Sequence, residues 1–178
     1  MTKPSRRYRF GRSLSIATQR GCYVKNMTEN EYKKVVLRLE EGDDAYVETP
    51  WVVDLGNGRY RMENCPFYFY GIAAGDIIGA QYSEAEGQLV FTQILEKSGN
   101  KLVRVIFENP ANEEGPEKDH LDALVAMGCS YEGANPKYIC IDIPKNVELG
   151  EVCEYLIENS VQWEHVAPRY SELYPDAE

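Results

Sequence analysis

Between Tyr46 and Glu96, turn signals recur so closely that no long helix fits between them, and the intervening stretches alternate as strands do. Residues 51–55 and 59–63 flank Gly56-Asn57-Gly58, a hairpin signal because both residue types tolerate positive φ. Pro66 pushes the preceding Cys65 out of the helical region, so residues 67–72 are predicted to form the next strand. Ala73-Ala74-Gly75-Asp76 turns the chain into residues 77–82, and Glu86-Gly87 turns it again into residues 88–96. Short strands joined by tight turns predict a curled β-meander or small barrel, which hides its strand edges. Just upstream, Thr28 and Glu31 offer a capping box, with Tyr32, Val35, Val36 and Leu39 at helical spacing. The run Val35-Val36-Leu37-Arg38-Leu39, stopped by Glu41-Gly42-Asp43-Asp44, equally reads as a strand and turn, and we take it as a strand.

The second half has another rhythm. Residues 102–107 read as a strand and 109–115 as a loop. Residues 116–127 read as a helix with Leu121, Leu124 and Val125 on its apolar face and Gly128 as its stop. Residues 129–132 and 138–143 are strands joined by Gly133-Ala134-Asn135-Pro136. Asn146 is expected to cap a second helix, on which Leu149, Val152, Cys153 and Leu156 repeat at helical spacing, and residues 161–166 close as a strand. The order is βαββαβ, the ferredoxin-like split unit. The expected class is therefore α+β. Its expected parts are a basic disordered extension (1–26), a meander or barrel half (27–98), a ferredoxin-like half (99–166) and a tail (167–178).

Charge divides the chain unevenly. Residues 1–26 carry seven basic residues and no acid, whereas the remaining 12 basic and 29 acidic residues balance to −17. The leader reads as a basic binding arm, a targeting-like extension or a stretch upstream of the true start; we favour a disordered extension, with Met27 as the start. The acidic body repels nucleic acid phosphates and favours basic protein partners, although acidity also serves solubility. No apolar run nears the roughly 20 residues that a membrane-spanning helix needs. Five scattered cysteines without a C-x-x-C pair argue against a disulfide framework and a zinc knuckle, and suggest reduced thiols in the cytoplasm.

Candidate sites are few. Gly75 and Asp76 read as a structural turn in which the carboxylate accepts backbone N–H groups. Ser98, Gly99 and Asn100, with Arg104 nearby, form either a small anion nest or an ordinary hairpin turn. Tyr68 and Tyr70 would share one strand face as an interaction surface, opposite Phe67 and Phe69. Cys65 is the best placed of the thiols to react, though a buried, inert role suits it better. His120 and His165 lie in no metal-ligand spacing, and no phosphate-binding glycine motif is present, so neither a metal nor a cofactor is expected.

An ordered run of short motifs resembles a bacterial family known as domain of unknown function 4265. The motifs are Val35-Val36-Leu37-Arg38-Leu39, Trp51, Gly58-Arg59-Tyr60, Asn64-Cys65-Pro66-Phe67, the segment from Gly71 to Ile78, Ser98-Gly99 and Val103-Arg104-Val105. The likeness spans about residues 33–166. It implies that the family usually begins near Val35, which supports Met27 as the start, and it supplies no activity. Relatives often carry His after Ser-Gly, where this chain has Asn100.

The expected function is non-catalytic protein binding, of the kind an immunity protein uses to neutralise a basic toxin. The alternatives are a small-molecule sensor with its ligand between the two halves, and an enzyme using Cys65 or a carboxylate, which would need a base within reach.

Overall fold

The computed structural model describes residues 32–41, 44–111 and 114–176; the basic leader and its start lie outside them. The first unit contains β1 (Tyr32–Glu41), β2 (Asp44–Glu48), β3 (Trp51–Gly56), β4 (Arg59–Met62), β5 (Ile77–Ser83) and β6 (Gln88–Glu96). Strands β1, β3, β4, β5 and β6 form a mixed five-stranded barrel, closed where β1 runs parallel to β6 through Val35–Leu89 and Val36–Val90. Strand β2 folds back onto the far half of β1. Gly56, Asn57 and Gly58 all have positive φ, as the β3–β4 hairpin requires. Val35, Leu37, Val52, Tyr60, Met62, Ile72, Ile78 and Ala80 fill the interior. The apolar run starting at Val35 is therefore a strand, not a helix.

The second unit runs β7 (Lys101–Ile106), α1 (Pro116–Ala126), β8 (Ser130–Asn135), β9 (Tyr138–Ile143), α2 (Leu149–Glu158) and β10 (Gln162–Ala167). Its sheet is antiparallel in the order β10-β7-β9-β8, the ferredoxin-like arrangement. Both helices cover one face of it. Val103, Val105, Ile139, Ile141 and Ile143 point there and meet Leu121, Leu124, Val152 and Leu156. A four-residue helix, α3 (Tyr170–Leu173), follows β10.

Five sequence expectations change. Gly133, Ala134 and Asn135 belong to β8 rather than to the turn before β9, and the expected tail contains α3. Residues 67–72 form no strand. The N–H groups of Phe67, Tyr68 and Phe69 all converge on the Glu48 carboxylate, at 2.7, 3.1 and 2.7 Å, whereas a strand sends successive N–H groups to opposite sides. Val125 is 41% exposed rather than on the core face of α1, and α2 is entered from Glu148 instead of being capped by Asn146.

Candidate functional site

Residues 63–76 leave β4, cross the second sheet and return as β5. They do so strand by strand. Asn64 donates to Glu132 on β8, Pro66 accepts from Cys140 on β9, and Phe67 accepts from the Tyr138 hydroxyl on β9 at 2.8 Å. The Phe69 carbonyl then takes Arg104 Nη2 on β7 at 2.6 Å, and the Gly71 N–H donates to Val166 on β10 at 2.8 Å. The sheet face beneath this crossing carries Tyr138, Cys140, Asp142, Arg104 and Glu164, because those residues alternate with the apolar ones under the helices.

Arg104 is the centre of that face. Its side chain is 1% exposed, yet its guanidinium has three engagements: Phe69, the Glu164 carboxylate at 3.1 Å and the Tyr70 ring at 4.4 Å. Tyr70 completes the triangle by donating its hydroxyl to the other Glu164 oxygen at 2.8 Å. Glu164 lies directly across from Arg104 in the β10–β7 pairing, so strand register sets this geometry.

Past Glu164 the surface opens into a cleft of about 650 Å³ lined by Tyr70, Trp163, Glu164, His165, Arg169 and Tyr170. Trp163 and His165 flank Glu164 on β10 and line the cleft, and Trp163 also packs against the helix-covered core. The His165 ring has the Trp163 ring at 4.7 Å, Tyr170 at 5.9 Å and Tyr174 at 6.4 Å. Burial there lowers the imidazole pKa, which keeps it neutral near pH 7. Tyr170 and Tyr174 sit one helical turn apart, their rings tilted at 39° with centroids 4.8 Å apart, and both are about half exposed. Strand and short helix thus present an aromatic wall beside an oriented carboxylate.

Of the residues singled out by sequence, Tyr70 and His165 line this cleft and Arg104 lies behind it, while the others do not converge here. Tyr68 leans on Tyr138, ring centroids 6.0 Å apart, whereas Tyr70 engages Glu164 and Arg104. Gly75 has φ +80°, and the 1%-exposed Asp76 carboxylate accepts the Ala73 N–H, the Ser98 N–H and the Ser98 hydroxyl at 2.7–3.0 Å, with Lys97 at 3.3 Å. The Ser98 donors that an anion nest would offer are therefore satisfied by a carboxylate of the chain itself. Asn100 turns to Asp142 and Lys145, and Arg104 turns to Glu164, away from that turn. Burial drives the Cys65 thiol pKa well above its usual range, with Cys140 adding to the effect, so it is protonated at neutral pH. His120 shares a hydrogen bond of 2.9 Å with the Tyr155 hydroxyl. Among the described residues no three His, Cys, Asp or Glu side chains are grouped to hold a metal ion, and no helix is long and apolar enough to cross a membrane.

Asp142, which the sequence did not mark, has its pKa pushed up to about 6 by burial, against the opposing pull of hydrogen bonds from Asn100 and Ser130. The cleft was equally unmarked. Its one available signal was the spacing of Tyr170 and Tyr174 beyond a strand that carries Trp163.

The sequence profile of the domain of unknown function DUF4265 matches residues 48–166. The chain belongs to this family. No curated protein matches the sequence. Among solved structures, a hypothetical protein from Neisseria gonorrhoeae superposes with a TM-score of 0.63 at 15% identity, over 78% of this chain and 96% of that one. At that identity the likeness concerns the DUF4265 member's fold alone.

Proposed function

We propose that this protein is a non-catalytic protein-binding module that takes a basic partner in the β10–α3 cleft. The observation that carries the reading is the wall of Trp163, His165, Tyr170 and Tyr174 beside Glu164, in which two partly buried rings and two half-exposed ones gather near an oriented acceptor. Aromatic rings supply contact area at low entropy cost, and their faces attract cations. The −17 balance of residues 27–178 draws a basic partner from beyond contact range. An immunity-type role, neutralising a basic toxin, is the setting that fits such a module.

Pull-down from the native host, followed by association kinetics at two salt concentrations, tests this. A basic protein should be recovered, and its on-rate should fall as the Debye length shrinks from about 10 Å at 0.1 M to about 3 Å at 1 M. Tyr170→Ala should mainly raise the off-rate. Recovery of a specifically bound metabolite and no protein would overturn the proposal in favour of a small-molecule sensor.

A further inference from the structure

We infer that the group this cleft recognises is an arginine side chain, held by Glu164 and stacked against the aromatic wall. This rests on the protein-binding reading and names the chemistry within it. An ionised carboxylate has about four acceptor positions. Glu164 uses one oxygen for Arg104 and the other for the Tyr70 hydroxyl, so among the described residues each oxygen keeps acceptor capacity. Its side chain is 37% exposed on the cleft side, while Arg104 behind it is buried. Arg104 also neutralises much of the Glu164 charge. What the carboxylate offers a ligand is therefore direction more than field: two acceptors, fixed in one plane by two donors.

A guanidinium fork matches two coplanar acceptors, whereas a lysine ammonium is a strongly hydrated point charge that gains little from the second oxygen. The walls point the same way, since guanidinium planes stack on aromatic rings. Tyr70 already has Arg104 at 4.4 Å and Arg169 at 5.9 Å. Arg169 itself is loosely held: among the described residues its guanidinium has the distant Tyr70 ring and one long hydrogen bond, to the Tyr70 carbonyl at 3.5 Å. An incoming arginine displaces it from the cleft.

The test titrates the full chain with acetyl-Gly-Arg-Gly-amide and with its lysine and citrulline counterparts, followed by NMR of the backbone amides and the Trp163 indole. The arginine peptide should perturb β10, α3 and Trp163 and bind about fivefold or more tighter than the lysine peptide, with citrulline weaker still. Glu164→Gln and Tyr170→Ala should each weaken it by about fivefold or more, and Arg169→Ala should strengthen it. Because Glu164→Gln strips Arg104 of its charged partner and can unfold the sheet, Tyr170→Ala and Arg169→Ala decide the matter if that variant is not folded. Equal binding of arginine and lysine peptides, perturbations elsewhere on the surface, no binding, or indifference to Tyr170→Ala would each overturn the inference. A protein partner recovered from the host whose affinity ignores these substitutions would leave the binding module standing and remove arginine from it.

Discussion

The two faces of the second sheet are covered in opposite ways. Under α1 and α2, the sheet presents Val103, Val105, Ile139, Ile141 and Ile143, and contact with the helices is apolar throughout. On the other face, Arg104, Tyr138, Cys140, Asp142 and Glu164 meet a loop, and much of the contact is made of named donors and acceptors. Apolar burial is non-directional and tolerates a change of shape at constant volume. A buried polar contact fails when either partner goes, because the survivor keeps its full desolvation penalty. The helix-covered face should therefore forgive substitutions that the loop-covered face does not.

The sharpest way to break this contrast is Arg104→Met, close in length but without charge or donors. It leaves the Phe69 carbonyl and the buried side of Glu164 unmatched and should cost about 3–5 kcal/mol in denaturant unfolding. Tolerance of Arg104→Met would mean that the loop is not held by its polar contacts.

Asp142 sharpens the contrast in the other direction. Its folded pKa is about 6 and lies above its ordinary value of 3.8, so the fold favours the neutral form. The stability this confers is complete below about pH 4 and is lost as pH rises through about 6. At pH 7.5 the ionised group is a burden, so Asp142→Asn should raise stability there, by at most about 3 kcal/mol. The difference in melting temperature between variant and wild type should shrink steadily from pH 7.5 to pH 4. A constant difference across that range would remove Asp142 titration as its cause.

Tyr138→Phe, on the loop-covered face, takes the hydroxyl donor from the Phe67 carbonyl and should cost more than Leu124→Met, about 1–3 kcal/mol in denaturant unfolding, because that carbonyl is left unmatched. On the apolar face, Leu124→Met should cost less than about 1.5 kcal/mol by the same unfolding assay. A loss equal to that of Arg104→Met would erase the distinction between the faces.

Where structure was written locally, the sequence could be read. Gly56-Asn57-Gly58 announces its hairpin through backbone conformations that few residues adopt, and Leu121, Leu124, Val152 and Leu156 announce the helix-covered core through spacing. The crossing loop was misread because its organiser, Glu48, stands about twenty residues earlier; nothing in Phe67-Tyr68-Phe69-Tyr70 itself says that three N–H groups will share one distant carboxylate. Arg104 was assigned to the neighbouring turn for the same reason. Its partners Phe69 and Glu164 come from either side in sequence and meet it only after the strands are in register. The cleft depends on Trp163 and Tyr170 facing each other across His165, beyond the reach of a pattern search in a segment without period.

The strand-by-strand path of residues 63–76 also bears on modularity. A segment that belongs to the barrel by chain connectivity finds its hydrogen-bond partners on all four strands of the neighbouring sheet, in their spatial order. Separating the two units would strand these donors and acceptors, so each should be less stable alone than within the whole chain. Unfolding should be a single cooperative event seen alike by Trp51 in the barrel and Trp163 in the sheet, despite the two architectures.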